Sequence, residues 1–439
     1  MHIDDFNQPI EPEILNVEEG HTIGAETDTS FIFDMAILDD SIESIHTHTI
    51  SSYMQISLIV LLDMAYLFAY GGLRGTAFYL FDLCPSGKGK DSSANHSFEL
   101  FLKPIMEIQN ERKKQYEYER QISEDDLPPR SFHCIHISDA TPQGTYRAFE
   151  TTKAQYPRLG EVGNKMKNKE HPLMNFITDG YGKHTLIQPN YKKDLDIGGD
   201  LCVDNISLFF YGNSNIQMMS GNTLLHHLQG GLLNRCILVY NTYTRPFEQR
   251  PHIYTLPRDF VTKIHHMVQT ILEFAQNYAD RPVPPIPRTA EYVTFDRYIY
   301  DQTELLGDTE IRDLFRRTMQ NLNAIILTLH YIRCWERQVW FEEVEESTVH
   351  TGVKFMRYVL GDYSKLTDEI IGAAKDERDE SNIEKLHQKI QELSPNKDKI
   401  RHRELYRALH LNRKEYDGLL RFANYKTDKH FLYLHPVTG

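Results

Sequence analysis

Three features of the sequence predict an α/β fold with a largely parallel sheet. Short apolar runs of strand length alternate with longer helical patterns through the first 280 residues. One such run feeds a glycine–lysine loop, Pro85-Ser86-Gly87-Lys88-Gly89-Lys90-Asp91, that precedes a helical stretch. Beyond the proline-rich stretch 281–289, helical periodicity takes over until a basic C-terminal tip.

The elements follow in order. Residues 50–70 predict a helix closed by Gly71-Gly72. It is very apolar but carries Asp63, and a membrane span needs about 20 apolar residues, so a buried helix without membrane contact is expected. Residues 76–83 read as a buried strand, and 97–122 as a helix with a charged second half. Pro128-Pro129 breaks that pattern. Residues 132–137, 206–211 and 236–240 read as further strands, with a helix over 145–152. Gln155-Tyr156-Pro157-Arg158 is poor strand material. Arg281-Pro282-Val283-Pro284-Pro285-Ile286-Pro287 is a stiff connector. Residues 309–376 are mostly helical and 377–399 strongly charged. Residues 401–434 read as helix, turn at Leu411-Asn412, helix, and a hairpin over 425–434. The expected organisation is an arm over 1–44, a core over 45–280, a connector over 281–289, a helical region over 290–396 and a basic domain over 397–439.

The formal charge of −14 argues against coating by nucleic acid through bulk attraction, but its distribution is uneven. The first base is Arg74, and 13 acids precede it, leaving 48 bases against 49 acids in the remainder. The acidity belongs to an N-terminal arm, which is either solvated or covers a basic surface of a neighbouring subunit. Phe31-Ile32-Phe33 and Ile37-Leu38 favour docking of its second half. The five scattered cysteines form no C-x-x-C and no framework, which suggests a reducing cytoplasm. The acidic N-terminus shows no signal-peptide pattern.

Strand, Gly-Lys-Gly-Lys, then helix is an arrangement that cradles phosphate. Backbone N–H groups approach the anion, the helix N-terminus adds its dipole, and a lysine neutralises charge. Ser86, Gly87, Lys88, Gly89, Lys90, Asp91 and Ser92 are the candidate nucleotide-binding residues. Against G-x-x-x-x-G-K-[ST], Cys84 replaces the first glycine and Asp91 the metal-binding hydroxyl, a role Ser92 or Ser93 would take. The alternative is a glycine- and lysine-rich surface turn.

The order of segments resembles a family of helicase-like P-loop ATPases of phages, plasmids and mobile elements, relatives of RecA-type motors often associated with primases. The resemblance rests on three stretches. The first is residues 85–91, with an acid after Gly-Lys. The second is Ser138-Asp139-Ala140-Thr141-Pro142-Gln143-Gly144. The third is Ile206-Ser207-Leu208-Phe209-Phe210-Tyr211-Gly212-Asn213, followed by Gly230-Gly231-Leu232-Leu233-Asn234-Arg235. It implies a RecA-like core, ATP and Mg²⁺ as cofactors, and a homo-oligomeric ring such as a hexamer. It further implies single-stranded or forked DNA as substrate, and primase or other replication proteins as partners. Lys90 matches the phosphate-binding lysine. Glu161 matches the acid that ends a strand and holds Mg²⁺ or orients water; the family has two acids in a row, and Gly160 stands where the first belongs. Asn213 matches the γ-phosphate sensor, with a turn residue as the alternative. Arg235 sits where an arginine would reach a neighbour's nucleotide, with a surface salt bridge as the alternative.

Residues 397–430 hold ten bases against five acids. Helix–turn–helix plus hairpin outlines a winged helix, able to contact DNA through Arg401, Arg403, Arg413, Lys414 and Arg421, or to pack on protein. Three functions remain open on the sequence: an ATP-driven, DNA-associated motor; a nucleotide-binding structural or regulatory protein without hydrolysis; and a DNA-binding adaptor with a vestigial phosphate loop.

Overall fold

The computed structural model describes residues 28–439 apart from 86, 124–129, 137–140, 169–170, 192–198, 216–218, 220, 230, 241–242, 244, 306–314, 362–365, 367–369, 371, 373–384, 394–398, 410–415, 417–425, 428–430 and 434–439. The first helices are α1 (Ala36–Thr47) and α2 (Tyr53–Tyr70). Ser52 caps α2, its hydroxyl accepting from the Gln55 N–H at 3.3 Å, which meets one of the donors a helix start leaves open. By length and composition α2 could cross a membrane, yet 89% of it is buried inside the protein. It is a core helix, apolar all round because neighbours surround it.

Strand β1 (Tyr79–Asp82) leads through the glycine–lysine loop into α3 (Lys90–Ser97). A π-helical turn over Phe98–Leu102 joins α3 to α4 (Lys103–Ile122). The helix after the loop therefore starts at Lys90, seven residues ahead of the expected 97, because the polar run Asp91–His96 lies in its first turns. Next come β2 (Ile135–His136), α5 (Pro142–Thr151), β3 (Ala154–Leu159), α6 (Gly163–Lys167) and α7 (Pro172–Gly180). An antiparallel ribbon follows, β4 (Thr185–Tyr191) with β5 (Gly199–Asp204). Then come β6 (Ser207–Leu208), β7 (Phe210–Asn213), α8 (Gly221–Gln229) and β8 (Cys236–Val239).

The main sheet runs β2-β3-β7-β1-β8, with β6 also beside β3, and its pairs are parallel. Such a sheet needs cover on both faces, and β1, β3, β7 and β8 are buried throughout. The expected strand over 206–211 is broken at Phe209 and reaches Asn213. Residues 154–159 correct the sequence reading, since this unpromising stretch is a fully buried strand. Its polar side chains are satisfied from afar. Gln155 meets His136 at 2.9 Å, and Arg158 donates to the Asp63 carboxylate, to the Ala94 carbonyl at 2.5 Å and to the Tyr156 hydroxyl at 3.0 Å.

Helices α9 (Arg258–Asn277), α10 (Ala290–Leu305), α11 (Thr318–Glu336) and α12 (Glu346–Leu360) complete the main body, with residues 282–289 irregular between α9 and α10. One apolar core runs from Phe33 to Ile370 and joins the sheet to these helices. The second half of the acidic arm is part of it. Phe33 is buried against Phe355, Tyr358 donates to the Thr29 carbonyl, and α1 runs across residue 44, where the arm was expected to end. A separate small core holds Leu386, Ile390, Ile400, Leu405, Tyr416 and Leu432, so the C-terminal unit reaches back before residue 397. It contains β9 (Lys399–Arg401), α13 (His402–Ala408), β10 (Lys426–Thr427) and β11 (Phe431–Tyr433), with sheet order β10-β11-β9. The expected turn at Leu411-Asn412 lies outside the described residues.

Two predictions follow from burial. Asp63 is fully buried, where Arg158, Ser97 and Tyr156 all donate to it. Asp63→Ala leaves the Arg158 charge unmatched and should lower unfolding stability by about 3–5 kcal/mol in denaturant titration; a loss under about 1 kcal/mol contradicts this account. Burial also pulls His330 down to about 4, and lowers His96 and His136. Between the ordinary histidine range and pH 4 the unfolded chain binds protons that the folded one refuses. Stability should therefore fall as pH drops through that window, by up to about 1.4 kcal/mol per pH unit for one group. His330→Gln should flatten the slope.

Candidate functional site

The candidate site lies at the C-terminal ends of β1, β3 and β7, three neighbouring strands. Asp82 ends β1 and is fully buried. Its carboxylate accepts from the Cys84 N–H at 3.1 Å and from the Gln55 side chain. Burial pushes its pKa up, opposed by Cys84, Gln55 and the Lys90 charge. Cys84, in the place of the first glycine of the G-x-x-x-x-G-K-[ST] pattern, is thus a buried residue that helps fix the strand end.

Gly87 and Gly89 both have φ of +79°, a region that disfavours side chains. Gly89 stands immediately ahead of α3. A Cβ there would come within 2.7 Å of Ser51 Oγ and 2.8 Å of Ile50 Cγ1. The Ser51 hydroxyl donates to the Gly89 carbonyl at 2.8 Å, so the segment ahead of α2 braces the loop. Burial lowers the Lys88 pKa, leaving its half-exposed ammonium easier to deprotonate. Ser86 lies outside the described residues.

Lys90 opens α3 and is 8% exposed, with Nζ 3.7 Å from the Glu161 carboxylate. Glu161 follows β3 by two residues and takes φ of +33°. Three bonds hold it. Its N–H donates to Asn213 Oδ1 at 2.9 Å, the Ser214 hydroxyl donates to its carboxylate at 2.6 Å, and the next N–H, of Val162, donates to the Asn213 carbonyl at 2.9 Å. A Cβ on Gly163 would sit 2.6 Å from Ser214 Oγ, so a glycine there leaves room for the serine bond. Asn213 turns its amide nitrogen to the Asp91 carboxylate at 3.0 Å. Asp91 is therefore held by a neutral donor in the first turn of a helix, where the dipole favours an acid.

Lys90, Asp91, Glu161 and Asn213 are thus brought together. Ser92 is half-exposed on the same turn as Lys90, while Ser93 is buried and donates to the Lys90 carbonyl at 3.1 Å. Arg235 is elsewhere, just ahead of β8 at the opposite end of the sheet. Cys236 pairs with Tyr79, the first residue of β1, so the length of β1, about 10 Å, separates Arg235 from the loop side. Arg401 and Arg403 are exposed in the C-terminal unit; Arg413, Lys414 and Arg421 lie outside the described residues.

Sequence reasoning missed Ser51, Gln55 and Ser214. Ser214 adjoins a predicted residue, but its partner Glu161 is 53 positions away, and neither residue carries a local signal for the pairing.

No family model matches the chain, and no curated protein is similar to it. Among solved structures, one described as SCCmec type IV Cch, active helicase, is a distant likeness. Its TM-score is 0.35 and its identity 12%, over 93% of this chain and 71% of that one.

The loop geometry makes one prediction. Gly89→Ala places a side chain in a left-handed conformation and against Ser51, and should destabilise the protein by at least about 1–2 kcal/mol. An unchanged denaturation midpoint would contradict the positions given to Gly89 and Ser51.

Proposed function

We propose that the chain is a RecA-like P-loop ATPase acting as a ring-forming, DNA-associated motor of helicase type. One observation carries the reading: Lys90, Glu161 and Asn213, scattered in sequence, converge at the carboxyl ends of three adjacent parallel strands. Ligands of open parallel sheets bind at that edge, where the strand order reverses. Here it reverses beside β1, since β2, β3 and β7 lie to one side and β8 to the other.

In this reading Lys90 and the backbone of residues 86–92 bind the ATP phosphates. Ser92 and Glu161 would hold Mg²⁺, which supplies further neutralisation of the phosphates and binds well through one or two protein oxygens beside them. Glu161 orients the attacking water and Asn213 senses the γ-phosphate. Arg235, too far from its own loop, acts on the nucleotide of an adjacent copy in a head-to-tail ring. The basic C-terminal unit, read as a winged helix, contacts DNA through Arg401, Arg403, Arg413, Lys414 and Arg421. Primase or other replication proteins are the expected partners.

A second reading has its own support. Gly160 stands where a second acid is expected, and a Cβ there would meet nothing within 4 Å, so the space is open and the carboxylate is missing. On that reading the protein binds nucleotide without hydrolysing it. Purified protein with Mg²⁺-ATP, with and without single-stranded DNA, separates the two. The motor releases phosphate, and Lys90→Ala lowers the rate about a hundredfold or more. Tight binding without phosphate release selects the second reading. Turnover unchanged in Lys90→Ala would overturn the site.

A further inference from the structure

Two arginines from different elements are connected through Tyr181 and Asn321 at the end of the sheet away from the phosphate loop. Arg235 ends the turn Leu233–Arg235, and its Nη1 donates to the Gly231 carbonyl at 2.7 Å and to Asn234 Oδ1 at 2.9 Å. Arg317 immediately precedes α11 and is exposed. Its guanidinium carbon lies 5.9 Å from the Tyr181 ring centre, and its Nη1 donates to Gln320 at 3.4 Å. Those two partners of Arg317 are neutral.

Tyr181 links the arginines. Its ring meets Tyr79 edge-on at 4.8 Å, and its hydroxyl donates to Asn321 Oδ1 at 2.8 Å. The Asn321 amide in turn donates to the Arg235 carbonyl at 3.4 Å. Strand β1, the residue after α7, the start of α11 and the turn before β8 are thereby tied to one another. Burial and the Arg317 charge hold Arg235 below the ordinary arginine range, while Tyr79 and the exposed Asp179 act the other way. Like charges in one neighbourhood repel, and an entering polyanion relieves that repulsion. The chain's own phosphate loop is at the far edge of the sheet, so a polyanion from outside is the one that fits.

We propose that Arg317 joins Arg235 in contacting the polyphosphate of a nucleotide bound by the adjacent copy of the chain. This rests on the motor reading above and adds a residue from the helical region to the shared site. Two planar forks then grip one triphosphate, where a single arginine would leave its oxygens partly unmatched.

The test is subunit mixing with the full chain. Arg317→Ala should bind a fluorescent ATP analogue more weakly and release phosphate at least about tenfold more slowly. Lys90→Ala should be inactive by itself. In an equal mixture of the two, about a quarter of the interfaces pair an intact Lys90 with an intact Arg317 in trans, so turnover should recover toward about a quarter of wild type. Arg317→Lys, which keeps charge without the fork, should fall between. Wild-type turnover in Arg317→Ala, or no recovery in the mixture, overturns the proposal. So does an Arg317→Lys variant as slow as Arg317→Ala with a lowered melting temperature, which would assign Arg317 to folding. An inactive wild type overturns the motor reading and this assignment with it.

Discussion

The buried pair of Asp63 and Arg158 is the constraint on which the candidate site depends. Two opposite charges removed from water contribute little net stability, because desolvation offsets their attraction. Their value here is positional. Asp63 sits in the middle of α2, Arg158 near the end of β3, and Arg158 also donates to Ala94, while Asp63 accepts from Ser97. Ala94 is one turn beyond Lys90, and Arg158 is three residues ahead of Glu161. One polar cluster therefore fixes the lysine-bearing helix against the glutamate-bearing strand. Shifting either charge would move both sides of the site.

That cluster also explains what the sequence shows and what it hides. Helix α2 and strands β1 and β8 are legible because their signals are local: apolar runs, closed after α2 by Gly71-Gly72 and after β1 by the glycine–lysine turn. Lys90 is legible through its glycines, and Asn213 through the resemblance, at the end of an apolar run. Strand β3 is not legible, since Gln155 and Arg158 look like surface residues until His136, Asp63 and Ala94 are brought to them. The same holds for Ser51 and Gln55, whose partners Gly89 and Asp82 lie 38 and 27 positions away. Glu161 was reached by resemblance, and its two anchors, Asn213 and Ser214, come from another strand.

The uneven charge takes on a spatial meaning. The described end of the acidic arm, Asp28, accepts from the Tyr53 N–H at 2.8 Å and pairs with His46 at 2.8 Å. Arg245 donates to the carbonyls of His46 and Thr49 at 2.6 Å, and Ser51 donates to Gly89. The arm is thus tied to the segment that braces the glycine–lysine loop, and a tract rich in acids leads into it. Its second half belongs to the main core, where Phe33 meets Phe355, so the arm and the helical region behind the sheet are held by the same contacts.

Glu161 is held in place by several contacts at once. A positive φ at a glutamate costs on the order of 1–3 kcal/mol and persists when the surroundings over-determine it. Asn213 and Ser214 supply that over-determination, and Ser214 is itself tied by its N–H to the Asp82 carbonyl at 2.9 Å. Asn213 faces two ways, toward the Glu161 backbone through its oxygen and toward Asp91 through its nitrogen. Any ligand that draws Asp91 away from this amide changes the hold on Glu161 at the same time. The acid after Gly-Lys, which at first looks hostile to a phosphate, is thereby the point through which the loop and the glutamate are coupled.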